Sequence, residues 1–119
     1  MQVKHIANCP QIIANDGSLL RELLSPLRDA VMIRYSIAHA TVNPRSSTHP
    51  HRLRSAEVYY IISGEGTMHI ADEACTVTAG HLIYIPPGAV QWIENIGNSD
   101  LVFLCIVDPP WRPEDDIPA

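Results

Sequence analysis

Positive charge is scarce in this chain. Eight lysines and arginines stand against 13 aspartates and glutamates, a net charge of −5 with histidine neutral. A protein that follows a phosphate backbone usually carries a basic stripe, so nucleic acid is not an expected partner. Long apolar runs are missing as well. The longest, residues 101–107, falls far short of the ~20 residues of a membrane helix, and no membrane partner is expected. Cysteine is limited to Cys9, Cys75 and Cys105, an odd number with no C-x-x-C pair. These read as free thiols of a reducing, cytoplasmic setting, and residues 1–10 lack the shape of a signal peptide. No helix-period pattern exceeds two turns and no internal repeat occurs, which argues against a βαβ fold.

What is present is β-sheet patterning. Hydrophobic residues make up 46% of 119, enough for one domain that buries roughly two-thirds of its unfolded surface. Residues 30–42 alternate, with Val31, Ile33, Tyr35 and Ile37 on one face, and predict a strand. Further strands are expected at 56–63, 67–70, 75–78, 82–85, 90–94 and 101–107. Gly64-Glu65-Gly66, Asp72-Glu73, Ala79-Gly80, Pro86-Pro87-Gly88 and Asn95–Asn98 supply the turns between them. Short strands with turns every 8–12 residues indicate a sandwich or small barrel. Residues 18–24, after the Asn15-Asp16-Gly17 turn, read equally as a short helix capped by Ser18 or as a strand. The expected layout is an N-terminal arm at about 1–29, a barrel at about 30–108 and an extended, acidic, proline-rich tail at 109–119.

One stretch is specific. From Gly80 the chain reads glycine, five residues, Pro86, one residue, Gly88, two residues, Gln91, three residues, Asn95. This resembles the second cupin motif, G-x5-P-x-G-x2-H-x3-N, with Gln91 in the histidine's place. Upstream, Glu57, six residues and Gly64 match the end of the first motif, G-x5-H-x-H-x3-4-E-x6-G. The resemblance spans about 40–107 and implies an all-β double-stranded β-helix, the jelly-roll cupin barrel, with its site inside. Two registers remain for the histidine pair. In one, His49 and His51 form H-x-H with one residue too many before Glu57. In the other, Arg45 takes the glycine position, His51 is the first histidine and Leu53 replaces the second. Strand parity places 49, 51, 53 and 57 on one side if no bulge intervenes.

The resemblance implies one divalent transition metal (Zn, Ni, Fe, Mn or Cu) on His49, His51, Glu57 and Gln91. Glu57 would serve as ligand or general base in an isomerase, lyase or dioxygenase type of chemistry. The alternative is a ligand-binding or structural cupin with a lost metal site, in which Gln91 and Glu57 bond each other or a water. Tyr35, Tyr59, Ile61, Met68, Ile93 and Phe103 are the candidate pocket for a small polar or anionic metabolite, although packing alone would account for them. Arg45, Arg52 and Arg54 read either as a solvated loop or as a clamp for a carboxylate or phosphate. His81 and His69 are expected at the surface, and Cys105 as an inert buried thiol. A homodimer is expected, with the apolar N-terminal segment crossing between subunits and Trp92 facing outward.

Overall fold

Strict alternation in the apolar run near the C-terminus sets the architecture. Leu101, Phe103, Cys105 and Val107 are buried, while Val102, Leu104 and Ile106 between them are half-buried on the opposite face. Side chains on a strand point to alternate faces, so this strand carries the core on one side only. In a computed structural model describing residues 1–119, the strands are β1 Gln11–Ile13, β2 Leu19–Leu24, β3 Ser36–Val42, β4 His51–Leu53, β5 Ala56–Ser63 and β6 Glu65–Ile70. They continue as β7 Glu73–Thr78, β8 Leu82–Ile85, β9 Gln91–Asn95, β10 Leu101–Asp108 and β11 Asp116–Pro118.

Two sheets face each other, in the orders β1-β2-β3-β10-β5-β8 and β11-β4-β9-β6-β7, and all strand pairs are antiparallel. This is the expected jelly-roll barrel. The core gathers Ala40, Val42, Tyr59, Ile61, Met68, Val77, Ile85, Ile93, Leu101, Phe103 and Cys105 between the sheets. The Tyr59 and Phe103 rings meet at 4.4 Å. Asn95 closes the end of β9: its amide donates to the carbonyls of Val42 and Ser99 at 2.9 and 2.8 Å and accepts from the Gly97 N–H.

The structure decides one open reading and changes two expectations. The segment at 18–24 is strand β2, because its N–H and C=O groups pair with β3 over Leu19↔Thr41 to Leu24↔Ile37. The strand expected at 30–42 begins only at Ser36. Before it, a turn built on Ser25 and Asp29 occupies the backbone, with Ser25 N–H on Asp29 Oδ2 at 2.9 Å and Asp29 N–H on Ser25 O at 2.8 Å. With no partner strand for 30–35, the alternation there has no sheet to serve, and Tyr35 is 37% exposed. The tail is not free. Asp116–Pro118 pairs with β4, Trp111 N–H donates to Ser36 Oγ at 3.0 Å, and Ala119 N–H donates to Pro50 O.

The outer face of the larger sheet is apolar. Tyr60, Ile62, Leu82 and Tyr84 are exposed there, and Leu104↔Tyr60↔Leu82 and Ile106↔Val58↔Tyr84 run as neighbours across β10, β5 and β8.

Gly64 marks the tightest turn. Its φ is +92°, and a Cβ there would lie 2.6 Å from the Asp100 carbonyl oxygen. Gly80 has nearly the same φ, +91°, but open space around it. Gly64→Ala is therefore expected to cost about 1–3 kcal/mol of stability, clearly more than Gly80→Ala. Urea unfolding of both variants checks the order; equal losses would show that the Asp100 contact carries no weight.

Candidate functional site

β4, β5 and β9 each contribute one inward polar residue at the same level of the barrel. His51 opens β4 and pairs directly with Gln91, the first residue of β9, while Glu57 lies on β5 between Val107 and Ile85. All three are buried. Gln91 Nε2 donates to Glu57 Oε1 at 2.7 Å and contacts Tyr59 Oη at 3.2 Å. Burial pushes the Glu57 carboxyl up to about 7, against the opposing pull of the Gln91 hydrogen bond and the His51 charge. Burial also holds the Tyr59 hydroxyl and the Cys105 thiol well above their usual ranges, so both stay neutral, and Cys105 is the inert thiol its apolar run suggests.

His51 is the most informative residue. Its Nδ1 lies 2.8 Å from Asp116 Oδ1, a carboxylate brought in by β11. A carboxylate accepts, so Nδ1 carries the hydrogen, and in the neutral ring Nε2 keeps its lone pair. That Nε2 is buried and has no hydrogen-bond partner, although buried polar atoms nearly always have one. Desolvation opposes charge on the ring, but the Asp116 bond and the charges of Asp116, Asp16 and Glu57 outweigh it, and the His51 pKa is raised. Asp116 is itself held by Trp111 Nε1 at 3.2 Å.

These residues line one cavity. Its walls include Leu20, Ala38, Ala40, Leu53, Phe103, Cys105 and Val107, and its polar groups include Asp16, Ser18, Glu22, Ser36, His51, Glu57, Tyr59 and Asp116. The space that centres of water molecules can occupy is ≈ 50 Å³, room for about three to five waters at ~10–15 Å³ each. Four carboxylates line it and no lysine or arginine does. Glu22 pairs with Arg28 at 2.8 Å, while His51 is the basic neighbour of Asp116 at 2.8 Å and of Asp16 at 3.7 Å.

Other expected site residues lie elsewhere. His49 is exposed, because the strand phase slips before β4: Thr48 turns inward to accept the Ile93 N–H at 2.9 Å, and Pro50 separates it from His51. The shared parity of 49 and 51 is thus corrected, and His49 instead donates its N–H to Asp16 O at 2.7 Å. Tyr35 is outside the pocket. Ile61, Met68 and Ile93 are in the core but do not line the cavity, whereas Tyr59 and Phe103 do. Arg45, Arg52 and Arg54 are exposed and none lines the cavity; Arg45 donates to Asn98 at 2.9 Å. His69 stacks on Trp92 with centroids 4.3 Å apart and bonds Glu94 on the smaller sheet. Asp16, Trp111 and Asp116 were invisible to strand parity, since turns and tail supply them. The run Trp111 to Asp116, with three acids behind a tryptophan and prolines, was the available signal.

The donors suit a divalent cation in kind. An imidazole held by a carboxylate through its other nitrogen is the usual outer arrangement of a metal-ligating histidine, and a cavity with four carboxylates and His51 as its one basic side chain favours added positive charge. In number they depart from the expected set: Gln91 stands at a histidine position, His49 is exposed, and no three histidine, cysteine or acidic side chains stand as a ready-made cage.

Cupin-domain sequences match residues 38–107. The chain belongs to the cupin family. An uncharacterised protein of Methanocaldococcus jannaschii is 43% identical to it over 104 residues, 87% of this cupin and 82% of the other protein. An oxalate-binding protein of Thermotoga maritima is 35% identical over 71 residues, covering 59% of each. Among solved structures, a predicted oxalate decarboxylase of Thermotoga maritima superposes with a TM-score of 0.78 at 28% identity, over 91% of this cupin and 99% of that chain.

Gln91 acts on the other polar groups. Gln91→Leu keeps most of the volume but leaves the buried Glu57 carboxyl without its donor, at an expected cost of about 1–3 kcal/mol. Denaturant unfolding measures it; a loss under about 0.5 kcal/mol, the size of an ordinary surface change, would mean that the bond contributes little.

Proposed function

We propose that this cupin binds one divalent transition metal through His51 and Glu57 and uses the site to hold and act on a small polar or anionic metabolite. The observation that carries the reading is the buried, unpartnered Nε2 of His51, on a residue that lines a cavity with four acidic side chains. When bound, the ion supplies Lewis-acid polarisation. The chain's own groups do the rest. Asp116 fixes the ring so that Nε2 faces inward, Gln91 holds one oxygen of Glu57, and the apolar wall from Leu53 to Phe103 and Val107 limits water.

Ligand size and charge follow from the same cavity. Its volume suits a compact molecule, and its excess of acidic groups over basic ones would repel an anion unless a cation lay between them. The name of the oxalate-binding relative supports a small dicarboxylate as the first compound to try. Metal loading is expected to give about one equivalent of Zn²⁺, Mn²⁺ or Ni²⁺ per chain by elemental analysis. At 100 times the dissociation constant it should add about 2.7 kcal/mol to stability. His51→Ala should abolish both effects, and oxalate should bind the loaded form only. A second reading, a ligand-binding cupin without an ion, is favoured by the 2.7 Å Gln91–Glu57 bond. It is the conclusion if wild-type protein takes up less than about a tenth of an equivalent.

We also propose a homodimer through the outer face of β5, β8 and β10, where exposed Tyr60, Ile62, Leu82 and Tyr84 form one apolar surface. Contiguous exposed patches of this kind mark contact sites. The N-terminal strands do not need to cross for this, since β2 pairs with β3 of its own chain. Light scattering at micromolar concentration is expected to give twice the 13.2 kDa of one chain, and Leu82→Glu with Tyr84→Lys to return it to one. A wild-type mass of one chain overturns the proposal.

A further inference from the structure

The β1–β2 hairpin places a carboxylate where the barrel lacks a ligand. Asp16 lies in the turn between these strands, and Gly17 after it has φ +89°. Turn tips normally face solvent, but Asp16 and Ser18 are buried in the barrel mouth. The turn is held there from outside: Asp16 O accepts the His49 N–H at 2.7 Å, and a Cβ on Gly17 would stand 3.3 Å from the His49 ring.

The two oxygens of Asp16 have different tasks. Oδ1 accepts from Ser18 N–H at 3.0 Å and Ser18 Oγ–H at 2.6 Å. Oδ2 is left facing His51 Nε2 at 3.7 Å, and the His51 side chain is only 9% exposed. That separation is too long for a hydrogen bond. It is close to the ~3.4 Å that separates two nitrogen or oxygen ligands ~2.1 Å from one ion at a tetrahedral angle. Asp16 Oδ2 and His51 Nε2, buried together with no lysine or arginine between them, call for one positive charge, either a proton on Nε2 or a cation held by both.

We infer that Asp16 is a metal ligand of this chain, standing in for the histidine that Leu53 replaces, so that the N-terminal hairpin completes the site. The inference rests on the metal-binding reading above. It makes His49 a residue that positions the turn instead of one that touches the ion.

The test is a calorimetric Zn²⁺ titration of full-length wild type, Asp16→Asn and His51→Ala. Asparagine keeps an oxygen for Ser18, so the turn is expected to survive. Loss of an outer-shell partner costs about 10–100-fold in metal affinity, and loss of a ligand should reach the upper end of that range. Binding by wild type with a drop of that size in Asp16→Asn supports the inference. Binding by both within about threefold overturns it while leaving the metal site standing. Absence of binding in wild type itself overturns the metal reading and the inference together. Should Asp16→Asn fail to fold, carboxyl ¹³C NMR of the unaltered chain decides. A shift of the Asp16 resonance with one equivalent of Zn²⁺ supports ligation; a shift of the His51 ring with none at Asp16 refutes it.

Discussion

His51 can keep a free nitrogen inside the barrel only because Asp116 holds the other one. Without a partner at Nδ1, the ring could rotate or change tautomer, and neither nitrogen would be committed to the cavity. The 2.8 Å contact depends in turn on the tail. β11 must pair with β4 to bring Asp116 alongside, and Trp111 must reach Ser36 and Asp116 to hold the strap in place. The C-terminal segment is therefore part of the site, to which it contributes the Asp116 side chain.

Charge is the second constraint. The barrel encloses Asp16, Glu57 and Asp116 around a single imidazole, while the arginines of the loop before β5 remain outside. A low-dielectric cavity punishes unbalanced charge more than water does. Burial holds a proton on Glu57 up to about pH 7, and the neighbouring carboxylates favour charge on His51. The first effect is chiefly burial, and the second reflects the shortage of positive charge in the cavity. A bound cation removes it, and metal binding of this kind displaces protons from its ligands.

The hydrogen bond between Gln91 and Glu57 belongs to both readings of the site. It satisfies a buried amide and a buried carboxyl in the absence of an ion, and it leaves the second oxygen of Glu57 uncommitted. Tyr59, packed on Phe103 at 4.4 Å, closes the network toward the core. The polar layer thus ends where the apolar core begins, one residue pair further along β5 and β10.

Much of this was legible in the sequence, for local reasons. Strand parity put Glu57, Tyr59 and Ile61 on one face and Gln91 with Ile93 on another, because a period of two needs no knowledge of the rest of the chain. The barrel was implied by resemblance: Gly80, Pro86, Gly88 and Asn95 match the second cupin motif, and Glu57 and Gly64 the end of the first. Parity failed at His49, where the phase slips between Thr48 and His51, and at residues 30–35, where an alternating pattern has no strand to pair with. What only the tertiary structure decided is which distant residues meet at the barrel mouth. Asp16 and Asp116 are a hundred positions apart in the numbering, on a turn and a tail whose local pattern reads as solvated charge. Their burial follows from sheet closure and from strand pairing at β2–β3 and β4–β11, interactions between segments that no local period encodes.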